Sequence, residues 1–114
     1  SQQYNITVDG HDIGWRMVKA SEHRMEILSQ TCEVITSAYV AGMIGPVLSR
    51  QSSLIANFAE KIRIPVISYS ATSPELSDRQ AYPTFYRTVP SDRSAAFALA
   101  KLFLQFNWTS CIII

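Results

Sequence analysis

The chain has 114 residues, of which 47% are hydrophobic and 17% are charged, and its formal net charge is +1. This length suits one small domain with a core and is too short for two. The composition excludes a disordered chain, and the scattered, nearly balanced charges give no reason to expect nucleic acid as a partner. No hydrophobic run approaches the roughly 18 residues that a membrane-spanning helix needs.

The first half of the chain alternates between strand and helix patterns. Alternating polar and apolar side chains predict a strand over residues 4–8, closed by an Asp-Gly pair. Apolar residues then recur at helical spacing over residues 15–31. A short apolar run over residues 40–44, ended by a Gly-Pro pair, predicts a buried strand.

The alternation continues in the middle of the chain. Ser49 is well placed as the N-cap of a helix whose apolar residues recur at spacings of three and four up to Ile62. Residues 64–69 predict the next strand. The segment 73–78, rich in Pro, Ser and Asp, predicts a turn that can hold one helical turn.

The strongest helix signal of the chain begins at Ser91 or Asp92, either of which can cap it, and extends to Phe106. Residues 110–114 predict a final strand. This order predicts an α/β fold, a doubly wound and mostly parallel sheet with helices on both faces. Because both ends of the chain lie in strand patterns, we expect residues 1–114 to be one piece of a longer protein, cut at both ends.

No enzyme signature is recognisable. The phosphate-binding loop, the dinucleotide-binding glycine motif and the nucleophile elbow are absent from the sequence. His11 and His23 have no metal-ligand spacing with Cys32. Glu22 and Glu26 lie one helical turn apart and could pair, but a solvated helix face is the simpler interpretation. We therefore expect no enzyme activity, no metal and no cofactor.

Small residues and hydroxyls follow two of the predicted strands at their carboxyl ends, where ligands bind in open parallel sheets. Ser49 would place a hydroxyl beside the free N–H groups of a helix start, which attract a carboxylate. Ser70 and Thr72 add hydroxyls, and the backbone of Ala71 can face the same cleft. The alternative is that these side chains only satisfy local backbone groups. The pattern favours binding of a small zwitterion or carboxylate over catalysis.

Two further signals concern the compartment. Asn5 and Asn107 each begin an Asn-X-Thr glycosylation sequon, and two sequons in so short a chain favour an extracellular setting. The two cysteines do not indicate whether the chain is extracellular. Cys111 lies in an apolar run and predicts a buried, inert thiol, whereas Cys32 could pair with a partner outside this chain.

Several motifs occur in a recognisable order: Ile-Gly-Pro at 44–46, Ile-Pro at 64–65, Ser-Tyr-Ser-Ala-Thr-Ser at 68–73, Leu-Ser-Asp at 76–78, and the segments 85–92 and 106–109. With these motifs the chain resembles the extracellular ligand-binding region of class C G-protein-coupled receptors. It is most similar to metabotropic glutamate receptors, with features of the GABA-B branch. The resemblance covers most of the chain and is specific from Gly42 to Thr109.

The resemblance implies a two-lobed clamshell related to type I periplasmic amino-acid-binding proteins, of which this chain would be part of lobe 1. By motif position it places the carboxylate and amine of an amino acid on Ser49, Ser70, Ala71 and Thr72. It also implies a membrane-anchored receptor with this region on the extracellular side of the plasma membrane. Closure of the clamshell on the ligand would produce the signal. The helices over residues 16–28 and 52–62 would supply a homo- or heterodimer face.

The chain departs from the glutamate-type pattern near the expected site. Val47 and Leu48 stand where those receptors have Gly and Ser, which narrows the cleft. Arg50 follows the binding serine and either attracts a second acidic group or points to solvent. Gly14 stands in place of a Cys, so one disulfide of the lobe is expected to be missing.

Three other functions fit the same residues. One is the ectodomain of a natriuretic-peptide-type receptor guanylyl cyclase, whose peptide ligand would not need the hydroxyls. Another is a soluble amino-acid-binding protein that serves a transporter. The last is a receptor subunit that binds no ligand, which the intact set of hydroxyls disfavours.

Overall fold

The computed structural model describes residues 7–19 and 23–112. This part of the chain forms the helices α1 Arg24–Ser37, α2 Ser49–Lys61 and α3 Asp92–Phe106. Its strands are β1 Thr7–Val8, β2 His11–Asp12, β3 Met43–Ile44, β4 Val66–Ser68 and β5 Phe85–Arg87. A short 3-10 helix, Pro74–Ser77, lies between β4 and β5. None of these helices is long and apolar enough to cross a membrane.

A parallel sheet with the strand order β3-β4-β5 is the centre of the fold. Side chains alternate between the two faces of such a sheet. Met43, Val66 and Phe85 pair in register and form one row on one face. Helix α2 contacts β4, and α1 packs against α2. The predicted α/β fold, a parallel sheet flanked by helices, is therefore confirmed.

The core joins α2 to this face of the sheet. Its buried apolar members are Ile27, Ile55, Ala56, Ala59, Val66, Ala71, Leu76, Tyr82 and Phe85. The three core residues of α2 lie at the spacing that predicted this helix from the sequence. Burial of one large apolar side chain contributes about 1.5–3 kcal/mol, so this cluster stabilises the packing of α2 on the sheet.

The opposite face of the sheet carries a second row of side chains. Ile44, Ile67 and Tyr86 pair in register across the three strands, and their exposed fractions are 83%, 41% and 49%. This row is apolar and open to solvent among the described residues.

The predicted first strand is only partly described, because residues 1–6 lie outside the described part. Its last residues form β1, which pairs antiparallel with β2 in a separate two-stranded sheet. Asp9 and Gly10 connect the two strands with φ values of 50° and 78°. An Asp-Gly pair is suited to such a turn, because both central residues need positive φ. Within the described residues, the end of this strand therefore pairs outside the parallel sheet.

The first helix is displaced from its predicted position. It begins at Arg24 instead of residue 15 and ends at Ser37 instead of residue 31. Trp15 and Met17 have helical spacing in the sequence, but they are 75% and 81% exposed and lie outside any helix. Periodicity alone predicted a helix there, and a helical face without a core to pack on is not stabilised.

The beginning of α3 is as predicted. Ser91 caps the helix, since its Oγ accepts a hydrogen bond from the N–H of Arg93 (3.2 Å). The apolar face of α3 is not buried by the rest of the described chain. Trp108 packs on this helix instead, edge-on to Phe103 and stacked on Phe106.

The predicted final strand is not formed over residues 110–112, and residues 113–114 lie outside the described part. Cys111 is exposed, so the prediction of a buried thiol is wrong. The physical reason is that no described strand pairs with this segment. Cys32 is half-buried and free.

β5 was not predicted from the sequence, and β3 and β4 are shorter than predicted. β5 is three residues long, and its apolar and aromatic pattern around Phe85 is too short to be distinctive. Its existence depends on pairing with β4 and on Arg79, whose Nη1 donates to the carbonyl of Phe85 (2.6 Å). Such contacts are not visible in the local sequence.

Candidate ligand-binding site

The carboxyl ends of the parallel strands meet at one edge of the sheet. The N–H of Gly45 donates to the carbonyl of Ile67 (2.8 Å), and the N–H of Thr88 donates to that of Ser68 (3.0 Å). Gly45 has a φ of 106°, where a side chain would be strained, and from there the chain enters α2. Ligands of open α/β sheets bind at this edge.

Ser68 organises the loop after β4. Its buried hydroxyl donates to the carbonyl of Pro46 (2.9 Å) and accepts the N–H groups of Ala71 (3.0 Å) and Ser70 (3.3 Å). The buried hydroxyl of Ser52 also donates to Pro46 (3.2 Å). The loop is therefore attached to the turn before α2. The sequence carried a signal for this role, namely a serine at an inward position of an apolar strand.

Ser49 joins α2 to the same loop. The helix begins at Ser49 and is preceded by Leu48, so the prediction of Ser49 as the N-cap is wrong by one position. Its Oγ accepts the N–H of Ser73 (3.1 Å). The hydroxyl proton of Ser49 forms no hydrogen bond with the described residues. The N–H groups of Ser49 and Arg50 lie in the first turn of α2, where a helix has no acceptors of its own for them.

Arg87, at the end of β5, holds the loop from the other side. Its Nη1 donates to the carbonyls of Ala71 (3.1 Å) and Ser73 (2.9 Å). Its Nη2 donates to Oγ of Ser77 in the 3-10 helix. Charge-assisted hydrogen bonds of this kind are stronger than neutral ones. Arg87 was not predicted as a site residue, because its partners lie 10 to 16 residues away along the chain.

The predicted site residues differ in which of their polar groups are already hydrogen-bonded within the protein. Ala71 is buried, and both its N–H and its carbonyl are bonded within the protein. The carbonyl of Thr72 accepts the N–H of Asp92 (2.9 Å), which brings the start of α3 to this edge. The hydroxyls of Ser70 and Thr72 form no hydrogen bond with the described residues and are partly exposed. The loop is fixed through its backbone, and its hydroxyls are left unused.

A family model described as the receptor family ligand-binding region matches residues 1–114, the whole chain. The chain belongs to this family. The predicted receptor-type ligand-binding domain is thereby confirmed, and domains of this family are the extracellular parts of receptors.

In this receptor-family ligand-binding region, a second polar cluster links α2 to the 3-10 helix. The hydroxyl of Tyr82 donates to Oε1 of Glu75 (2.8 Å) and lies 2.7 Å from Oγ of Ser53. Because the phenol has one proton, Ser53 is the donor to Tyr82. The described residues contain no group of three or more His, Cys, Asp or Glu side chains that could hold a metal ion.

The environment of Tyr82 raises the pKa of its phenol above the ordinary value of about 10. The hydrogen bond with Ser53 acts in the opposite direction, but burial and the Glu75 carboxylate outweigh it. The folded protein thus holds the phenolic proton more tightly than the unfolded chain does. This contribution to stability is fully present below about pH 10 and is lost as the pH rises through the folded pKa.

We expect Tyr82→Phe to lower the free energy of unfolding by about 1 kcal/mol at neutral pH, because it removes the hydroxyl that links Ser53 to Glu75. The variant should also lose less stability than the wild type above about pH 10. Urea unfolding at about pH 8 and about pH 10.5 measures both effects. Tyr86→Phe, at a half-exposed tyrosine, is the matched control, and an unchanged pH dependence in Tyr82→Phe would contradict the assignment.

Proposed function

We propose that this chain is the ligand-holding part of lobe 1 in a class C receptor ectodomain and that it binds an amino acid or a similar small zwitterion. One observation carries the proposal. The loop after β4 is anchored through its backbone, while the hydroxyls of Ser70 and Thr72, beside the start of α2, form no hydrogen bond with the part of the chain that the structure describes. A rigid loop with unused donors is what recognition of a small polar ligand requires.

The chemistry of the edge fits an amino acid. The ligand carboxylate would accept hydrogen bonds from the hydroxyls of Ser49 and Thr72 and from the first N–H groups of α2, where the helix dipole favours negative charge. The ligand ammonium group would donate to the hydroxyl oxygen of Ser70. A direct contact with Ala71 stays a prediction.

Closure of the two lobes around the ligand would couple binding to signalling. The ligand would first occupy lobe 1 and then stabilise the approach of lobe 2. It can shift this equilibrium only by as much as its affinity for the closed form exceeds that for the open form. The described chain would supply the part of the site that recognises the groups common to all amino acids.

The double variant Ser49→Ala, Thr72→Ala in the full ectodomain tests the site. Each lost hydrogen bond to a charged ligand group costs about 1.5–3 kcal/mol, so we expect the affinity to fall by about 100-fold or more. Calorimetric titration with a panel of amino acids measures this loss. Ser29→Ala with Ser110→Ala, two exposed serines outside the edge, is the matched control. Unchanged affinity in the first variant would refute the site.

The receptor class is tested by the sequence of the parent protein beyond this chain. Seven apolar spans of about 20 residues would support a class C receptor. One span followed by an intracellular cyclase domain would favour the natriuretic-peptide type. The absence of any span would favour a soluble binding protein of a transporter.

If the domain is extracellular as proposed, Asn107 should be glycosylated. This residue ends α3 in a left-handed conformation (φ 56°) and is exposed with the Trp-Thr that completes the sequon. We expect a glycan there in protein secreted from eukaryotic cells, removed by Asn107→Gln and seen as a loss of mass. An unchanged mass would contradict the prediction. The other sequon, at Asn5, lies outside the described residues.

Dimerisation through lobe 1 is part of the same proposal. The helix predicted over residues 16–28 corresponds to α1, which begins and ends later in the chain than predicted. The helix predicted over residues 52–62 corresponds to α2. These two helices pack on each other and would present the dimer face together. Sedimentation of the full ectodomain measures the expected dimer, and a monomer at micromolar concentration would contradict it.

A further inference from the structure

A cleft of about 500 Å³ lies between α2, the 3-10 helix and the start of α1. Of the four residues predicted to bind the ligand, only Ser49 lines it. The cleft extends from there along α2, past Ser53 and Asn57. It shares Ser49 and Ser73 with the sheet edge and adds polar groups of α1, α2 and the 3-10 helix.

Two arginines at helix starts line this cleft. Arg24 is the first residue of α1, and Arg50 is the second residue of α2. A helix start already carries a partial positive charge of roughly one half, so a cation there is unfavourable without an anion nearby. The first turn of α2 holds no acidic residue, and neither guanidinium forms an ion pair with the described residues. In the first turn of α1, Glu26 accepts a hydrogen bond from Gln30 (3.3 Å).

The 3-10 helix presents the opposite charge to the same cleft. The carboxylate of Glu75 is held through Oε1 by the hydroxyl of Tyr82, which Ser53 fixes in turn. The second carboxylate oxygen of Glu75 accepts no hydrogen bond from the described residues. The acidic group is thus oriented but not neutralised.

We propose that this cleft is a second binding site, for a small zwitterion whose carboxylate lies at Arg24 and Arg50 and whose ammonium group faces Glu75. The two arginines favour a carboxylate and Glu75 favours an ammonium group, so a molecule that carries both charges can interact with all three side chains. Leu54 and Leu76 also line the cleft and can contact a short methylene chain between the two charges. The volume lies in the range of small-molecule sites, about 300–1,000 Å³.

Calorimetric titration of the full ectodomain with unbranched amino acids, from glycine to 6-aminohexanoate, tests this site. The titration is made in a Ser70→Ala, Thr72→Ala background, which weakens the site at the sheet edge. We expect at least one chain length to bind saturably. Glu75→Gln and Arg50→Gln should each weaken this binding tenfold or more, since each removes a hydrogen bond between charged groups.

Glu75→Gln keeps an oxygen that can accept the hydroxyl of Tyr82, so the variant preserves the fold of the cleft. Glu33→Gln and Arg93→Gln, at exposed residues outside the cleft, are the matched controls. The proposal is overturned if no chain length binds in the loop-variant background. It is also overturned if the cleft variants bind as tightly as their controls. Binding lost with the loop variants alone would leave the edge site intact as a proposal.

Discussion

Replacing Phe85 with alanine should lower the free energy of unfolding by about 3–5 kcal/mol, which is the cost of removing a buried phenylalanine. Phe85 is 1% exposed, pairs in register with Val66 and packs in the core between the sheet and α2. The short strands offer few neighbours that could move into the space. Urea unfolding of the full ectodomain, followed by tryptophan fluorescence and circular dichroism, measures the change.

Tyr86→Ala is the matched control for this experiment. Tyr86 follows Phe85 on the same strand, but its side chain lies on the other face and is 49% exposed. We expect its loss to cost about 1 kcal/mol or less. Equal costs for the two variants would mean that the buried row of the sheet is assigned to the wrong face.

Arg87→Met should weaken amino-acid binding at the sheet edge at least tenfold and lower the free energy of unfolding by about 2–3 kcal/mol. The substitution leaves the carbonyl of Ala71, a buried residue, without its donor, and such an unsatisfied group costs about 1–3 kcal/mol. It also frees Ser73, whose N–H holds Ser49 at the start of α2. Calorimetric titration and urea unfolding of the same protein measure the two effects separately.

Arg93→Met controls for the loss of a positive charge, because Arg93 is exposed on α3 and its side chain forms no hydrogen bond or ion pair with the described residues. Faster hydrogen exchange at the N–H of Ser73 would show that the loop has loosened. An Arg87→Met protein with unchanged affinity and unchanged exchange would contradict the role of Arg87 as the anchor of the loop.

The elements that the sequence predicted well have local signals. Ser91 caps α3 because its hydroxyl reaches an N–H two residues away, and α2 carries its apolar residues at the helical period. The α/β class follows from the alternation of such signals. The first helix was misplaced because Trp15 and Met17 satisfy the same period without a core beside them. A helix prediction from local pattern is therefore correct only where tertiary packing stabilises the helix.

Part of the candidate site was also predictable from local signals in the sequence. Ser49, Ser70 and Thr72 stand out because hydroxyls after a buried strand are a local feature of the sequence. Arg87 does not, since it acts through hydrogen bonds to groups 10 to 16 residues away along the chain. The resemblance to known receptors located the loop, but it did not reveal what holds the loop in place.

The loop after β4 is held by its backbone and not by the side chains at its tip, which has a consequence for the evolution of such receptors. Its shape is set by backbone groups bound to Ser68, Arg87 and Ser49, and the side chains at 70 and 72 take no part in that framework. In the proposed site, substitutions at these two positions would therefore change the groups that meet the ligand while leaving the framework of the loop intact. Related receptors would then inherit one loop framework with different side chains at its tip.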